Sequence, residues 1–213
     1  MMISTEMLKE TIGKGDIQSA VNYTEEALAA GHQVKAILND GLIAAMDEVG
    51  EKFAKGLLFV PQMLRSAKAM QECMKLIKPY LQEGDLFSKG KVVIGTVQRD
   101  LHDIGKNLVA MMLEGAGFDI IDLGVDVSAD KFAKKAQEIE PDIIAMSALL
   151  STTMPSMGET IEALRRAKIR DKVKVMIGGA PVTAKFAEDI EADVYAPDAG
   201  SAVIAAKKLV GAG

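Results

Sequence analysis

The chain has 213 residues, with 25 basic against 30 acidic side chains and a formal net charge of −5. That balance argues against a nucleic-acid surface, which usually presents a basic face; no apolar run approaches the roughly 20 residues of a membrane span; and the single cysteine, Cys73, excludes an internal disulfide. Hydrophobic residues make up 49 %, enough for one large or two small cores, and the N-terminal MMISTEMLKE lacks the basic-then-apolar layout of a signal peptide, so a cytoplasmic chain with no membrane or nucleic-acid partner is expected.

The first 85 residues read as helices only. Segments near 3–12, 16–30, 33–54 and 60–82 carry apolar residues at three- and four-residue spacing. In the third, Ile37, Leu42, Ile43, Met46, Val49 and Phe53 suit one broad face. Breaks fall at Gly13-Lys14-Gly15-Asp16, Gly31-His32 and Gly56, and Pro61 suits the first turn of the fourth helix. Four helices with short connections predict a small antiparallel bundle over 1–85. Cys73 and most of the 13 methionines, among them Met63, Met70 and Met74, fall at helical spacing and read as flexible core filling.

Gly84 to Gly90 reads as a linker, with the domain break over 86–90 and a second domain over 91–213. There the pattern switches to short apolar strands alternating with amphipathic helices. Strands are expected at 91–97, 118–122, 142–147, 173–177 and 193–196, and helices at 105–116, 128–139, 154–168, 182–190 and 200–210. Five strand–helix units predict an α/β, flavodoxin-like, doubly wound five-stranded parallel sheet in order 2-1-3-4-5. The basic cluster Arg165, Arg166, Lys168, Arg170, Lys172 and Lys174 reads as a solvated helix end that complements the macrodipole.

The order 2-1-3-4-5 opens a crevice at the carboxyl ends of strands one and three, where such sheets hold ligands. Strand one runs into Asp100-Leu101-His102-Asp103-Ile104-Gly105. An imidazole in that loop can bind a metal, and a carboxylate on its other nitrogen fixes its tautomer. Strand three ends in Ser147-Ala148-Leu149-Leu150-Ser151-Thr152-Thr153 and strand four in Gly178-Gly179. Hydroxyls donate hydrogen bonds to a buried ligand, and glycines let backbone pass close to one. Each signal alone has a plainer reading: an exposed loop histidine, a helix N-cap at Thr152 or Thr153, a glycine turn.

Together they are specific. DxHxxG, then SxL about 41 residues on, then GG about 28 later, resembles the cobalamin-binding domains of methyltransferases and mutases. The wider Asp100–Asn107 and Asp122-Leu-Gly-Val-Asp-Val127 segments are similar to the branch of methionine synthase and the methanogen and acetogen corrinoid proteins. Glu51–Leu64 resembles the helical cap domain of that branch.

The resemblance implies a corrinoid, cobalamin or a relative, bound with its own base displaced into a slot beside strands one, three and four. His102 is then the cobalt ligand, and Asp100 accepts a hydrogen bond from its other ring nitrogen. Thr153 completes a proton relay where methionine synthase has Ser. The loop from Arg99 through Leu101, Asp103, Ile104 and Gly105 touches the cofactor. Ser147, Leu149, Ser151, Gly178, Gly179 and Ala199 meet the buried tail, while Phe53, Val60 and Met63 of the cap shield the methyl-bearing face.

The function implied is that of a methyl carrier, not catalytic alone. It works between a substrate-specific corrinoid methyltransferase and a second methyltransferase delivering to tetrahydrofolate or coenzyme M, with a reductive activator as third partner. The alternatives are a cobalamin-binding sensor or regulatory module, a mutase subunit, which normally lacks the cap, and a receiver domain, which needs an acidic residue ending strand three. Gly84 to Gly90 is the expected hinge for cap movement.

Overall fold

The computed structural model describes residues 5–81 and 88–211. Its contacts divide the chain into one unit up to Phe87 and a second from Ser88 on, apart from Gly115–Gly117, which group with the first.

The first unit is helical: α1 (Thr5–Lys14), α2 (Ile17–Ala29), α3 (Val34–Ala36), α4 (Ala44–Ala54) and α5 (Val60–Ile77). Between α1 and α2 the chain turns at Gly15, whose φ is +68°, and a Cβ there would lie 2.6 Å from Cβ of Arg65. Only glycine meets both demands. Asp16 then caps α2 by accepting from the Ser19 N–H at 3.2 Å. At the start of α5, Pro61 sits in the first turn and the Gln62 side chain accepts from the Phe59 N–H at 2.9 Å.

The third predicted helix, 33–54, is one continuous helical stretch, but Ile37–Ile43 between α3 and α4 is π-helical. A π-turn accommodates a side-chain step of five rather than three or four. The buried series Ile37, Leu42, Met46, Val49 begins with such a step. The π segment keeps Ile37 and Leu42 on one face, which an α-helix would rotate apart. Buried Met63, Ala67, Met70, Cys73 and Ile77 form the matching stripe on α5.

The second unit is a five-stranded parallel sheet in order β2-β1-β3-β4-β5. Its strands are β1 (Lys91–Thr96), β2 (Asp119–Asp122), β3 (Ile143–Ser147), β4 (Lys174–Gly178) and β5 (Val194–Tyr195). Helices α6 (Ile104–Gly115), α7 (Ala129–Ile139), α8 (Pro155–Arg166), α9 (Ala184–Asp189) and α10 (Ala199–Leu209) alternate with them. The central strands are nearly continuous runs of buried apolar residues, as sheets covered on both faces require. Phe132 of α7 is fully buried, its ring taking the room that Gly95 leaves.

Of the expected linker, 86 and 87 lie outside the described residues, as does Gly84 of the expected hinge. Ser88 to Gly90 are tied into the sheet: the Asp119 N–H donates to the Gly90 carbonyl at 3.0 Å and to Ser88 Oγ at 3.3 Å.

The basic cluster is largely ion-paired, with Arg170 on Asp193 at 2.8 Å and Arg165 on Glu162 and Glu191.

Candidate functional site

β1 and β3 lie side by side, and the loops that follow them meet through Asp100, which accepts from Leu149, Leu150 and Thr153. Across the sheet the register aligns Thr96 with Ser147 and Ser147 with Gly178, so the ends of β1, β3 and β4 form one rim.

After Thr96 the chain turns sharply. Asp100 is fully buried, although Leu101, His102, Asp103, Ile104 and Gly105 around it are exposed. Its carboxylate gathers five donors. Oδ1 accepts from the His102 N–H at 3.1 Å and faces His102 Nδ1 at 2.8 Å. Oδ2 accepts from the Leu149 N–H at 2.8 Å, the Leu150 N–H at 3.3 Å and the Thr153 hydroxyl at 2.8 Å. Burial pushes the Asp100 carboxyl up, but the bonds from Leu149, Thr153 and His102 outweigh it and hold it well below the usual carboxylate range.

That ionised state decides the histidine. A carboxylate only accepts, so Nδ1 must carry the proton, and in the neutral ring Nε2 then bears the lone pair. The His102 side chain is 51 % exposed, so that lone pair is accessible. The Thr96 hydroxyl, buried, donates to the His102 carbonyl at 2.9 Å and fixes the loop from behind.

Thr153 does not cap α8, as one reading of the sequence had it. The N-cap is Met154, with no side-chain bond, and Pro155 needs no partner for its missing N–H. The Thr153 hydroxyl instead lies 2.8 Å from both Asp100 Oδ2 and the Leu150 carbonyl. One hydroxyl proton faces two acceptors while Asp100 is ionised. Both contacts become hydrogen bonds when Oδ2 carries a proton.

Exposed apolar side chains stand near His102, alongside the exposed charges of Arg99 and Asp103. Leu101 is 71 % and Ile104 86 % exposed, and Leu149 and Leu150 are exposed beside them. A Cβ on Gly105 would meet nothing within 4 Å. Among the described residues no group of three or more His, Cys, Asp or Glu could hold a metal ion. A lone imidazole near exposed apolar side chains therefore suits a metal that arrives with most of its ligands already attached, in a large apolar carrier. The residues present fit a corrinoid.

The family comparison decides the matter: the B12 binding domain family matches residues 90–206, and a second B12 binding domain family matches residues 5–78. The chain belongs to the B12-binding family. Trimethylamine corrinoid protein 1 of Methanosarcina acetivorans is 46 % identical over 92 % of this chain and 91 % of its own length. Dimethylamine corrinoid protein 1 of the same organism is 42 % identical over 98 % of this chain and all of its own. Among solved structures, the methanol:cobalamin methyltransferase complex of Methanosarcina barkeri contains a chain that superposes with a TM-score of 0.88. It is 28 % identical, over 98 % of this chain and 80 % of that one. The cofactor of this chain is a corrinoid.

Within this B12-binding unit, the expected site residues fall into two groups. Asp100 is in direct contact with His102 on one oxygen and Thr153 on the other, with Arg99, Leu101, Asp103, Ile104, Gly105 and Leu149 near them in the two loops. Ser147, Ser151, Gly178, Gly179 and Ala199 lie along the β3, β4 and α10 ends of the rim; Ser151 is exposed, Ala199 buried. The two glycines have a reason of their own. A Cβ on Gly178 would lie 2.7 Å from the Ala196 carbonyl oxygen, and one on Gly179 1.9 Å from that of Ala148. Gly179 also has φ +129°. Neighbouring backbone demands glycine at both before any ligand does.

In the helical unit Val60 is exposed, Phe53 partly exposed and Met63 fully buried in the α5 stripe. The exposed apolar surface there comes also from Leu57, Phe59, at 70 % exposure, and Leu64. Sequence reasoning missed these three. The signal for Leu57 and Phe59 was the unpatterned apolar run Leu57-Leu58-Phe59-Val60 between Gly56 and Pro61, where a helix break should be polar. Among the described residues no helix is long and apolar enough to cross a membrane.

Proposed function

We infer that this chain carries a methyl group on its corrinoid from one methyltransferase to another. The observation that carries this reading is the buried, ionised Asp100 bonded to His102 Nδ1, which leaves the lone pair on Nε2 of a half-exposed ring. When bound, the corrinoid supplies a cobalt centre that accepts a methyl group and gives it up again. His102 Nε2 would be the protein's ligand to cobalt. Asp100 fixes the ring's tautomer, and Thr153 can accept from a protonated Asp100 Oδ2, so ligation would be adjusted by a proton that the Asp100/His102 pair takes up as the methyl group leaves. Ser147, Ser151, Gly105, Gly178, Gly179 and Ala199 border the slot for the tail.

The helical unit, 1–85, acts as a cap. Its exposed apolar residues Leu57, Phe59, Val60 and Leu64, with Phe53, are of the kind that would shield a methyl group on the cofactor from water. Met63 contributes from the packing beneath. The likeness to proteins named for trimethylamine and dimethylamine supports an N-methylated amine as the methyl source. We propose tetrahydrofolate or coenzyme M as acceptor, a reductive activator as third partner, and the cytoplasm as the place of action. These relatives do not favour the sensor alternative.

The test is the EPR spectrum of the Co(II) form, prepared from nitrogen-15-labelled protein and unlabelled cobalamin. A doublet superhyperfine pattern lost in His102→Ala is expected. A triplet, the mark of the cofactor's own base, removes His102 from the metal and the relay with it.

A further inference from the structure

The segment Asp122-Leu-Gly-Val-Asp-Val127, between β2 and α7, has no part in the site so far. It lies against the loop that carries Asp100 and His102. Val97 and Val127 form a parallel bridge, the Val127 N–H donates to the Thr96 carbonyl at 3.0 Å, and the Thr96 N–H donates to the Gly124 carbonyl at 3.0 Å. Two further bonds are reciprocal. The Arg99 N–H donates to Asp126 Oδ1 at 2.7 Å, and the Asp126 N–H donates to the Asp100 carbonyl at 3.0 Å.

Both partners of this clasp are strained. Arg99 has φ +67° and Asp126 φ +52°, left-handed values that a non-glycine residue adopts only when its surroundings insist. The strain has a geometric product. The left-handed turn at Arg99 sends the next side chain, Asp100, into the interior, while Leu101 to Gly105 stay outside. The carboxylate can then meet Leu149 and Thr153 on one oxygen and His102 on the other.

We propose that Asp126 is a positioning residue for the corrinoid site. Its carboxylate and its amide hold Arg99 and Asp100 in the backbone geometry that aims Asp100 at His102. The proposal rests on His102 being the cobalt ligand. It acts through backbone bonds rather than charge, so an asparagine, which keeps an accepting oxygen and tolerates the left-handed conformation, substitutes for it. A glycine relieves the strain but removes the acceptor, and does not substitute.

The experiment compares the full-length wild type, Asp126→Asn, Asp126→Gly and His102→Ala, each nitrogen-15-labelled and loaded with cobalamin in the Co(II) state. The ratio of protein-nitrogen-bound to unbound cobalt is read by EPR, and exchange of the Arg99 amide hydrogen is followed in the cofactor-free chains. Asp126→Gly is expected to lower the bound-to-unbound ratio about 10-fold or more and to speed Arg99 exchange, with Asp126→Asn close to wild type in both. Wild-type behaviour of a folded Asp126→Gly overturns the proposal. So does a loss of ligation in folded Asp126→Asn, since charge rather than the clasp would then be at work; this arm decides the matter if the glycine variant fails to fold. Absence of protein-nitrogen coupling in the wild type itself overturns the His102 ligand reading and the purpose of the clasp with it, leaving Arg99 exchange to report only on loop closure.

Discussion

Replacing Asp100 by asparagine changes one atom and should reverse the histidine. Five donors converge on the carboxylate, two on Oδ1 and three on Oδ2. An amide offers one accepting oxygen and one donating nitrogen. The oxygen settles where three donors meet it, at Leu149, Leu150 and Thr153, and the NH2 then faces His102. Nδ1 must accept, the ring proton moves to Nε2, and the lone pair needed for cobalt is lost. Restoring it sets Nδ1–H against the NH2 and leaves a donor unpaired, at about 1.5–3 kcal/mol, or roughly 10- to 100-fold against ligation. The assay is the Co(II) EPR ratio of bound to unbound protein nitrogen at pH 7. Asp100→Asn with a wild-type ratio refutes the tautomer reasoning. The pH dependence gives a second check on the cofactor-free chain. The folded Asp100 carboxyl is depressed, so its contribution to stability is complete above the unfolded value of about 3.9 and is lost as pH falls below it toward the folded one. The urea-unfolding gap between wild type and Asp100→Asn should narrow below about pH 4; a gap that widens on acidification contradicts the depressed carboxyl.

Two glycines should separate folding from loading. Gly105→Ala adds a methyl to open space in the first turn of α6, so the cofactor-free melting curve should hold or rise by up to about 1 kcal/mol while corrinoid retention on gel filtration falls; unchanged retention means the tail does not pass there. Gly179→Ala drives a Cβ against the Ala148 carbonyl and should cost about 3 kcal/mol or more in unfolding, with a smaller loss meaning that the loop relaxes. Lys106, 2 % exposed, pairs with the half-exposed Asp122 and bonds Asn107 Oδ1 at 2.6 Å. Asp122→Ala leaves the buried Lys106 ammonium to Asn107 Oδ1 and should cost about 1–3 kcal/mol in denaturant titration, more than Lys106→Met, which leaves an acid that water can reach; equal losses refute the asymmetry.

The sheet was legible because each parallel strand is an uninterrupted apolar run, and the strand order followed from general handedness rules. β1 begins at the expected Lys91, and β3 ends at the expected Ser147. The meeting of Asp100 with His102 was legible from their two-residue separation beside Gly105. Thr153 was ambiguous, since a hydroxyl before a helix reads equally as a cap, and only the path of Leu149 and Leu150 past Asp100 directs it elsewhere. The clasp at Asp126 left no trace, because left-handed backbone announces itself in sequence only when glycine occupies it, and here Arg99 and Asp126 do. The π segment did leave one, the five-residue step from Ile37 to Leu42, which reads in sequence as part of one broad helical face. Gly178 and Gly179 were noticed for room they make for a ligand, whereas their own backbone neighbours already require them.

Leu101, Ile104, Leu149 and Leu150 have a consequence for the life of the chain before it is loaded. An unfilled copy displays a greasy patch at the very point where a filled copy displays a cofactor. Such patches are what chaperones grip and what drives copies to self-associate. A cofactor seated over these side chains should therefore make the loaded chain less prone to self-association than the cofactor-free one.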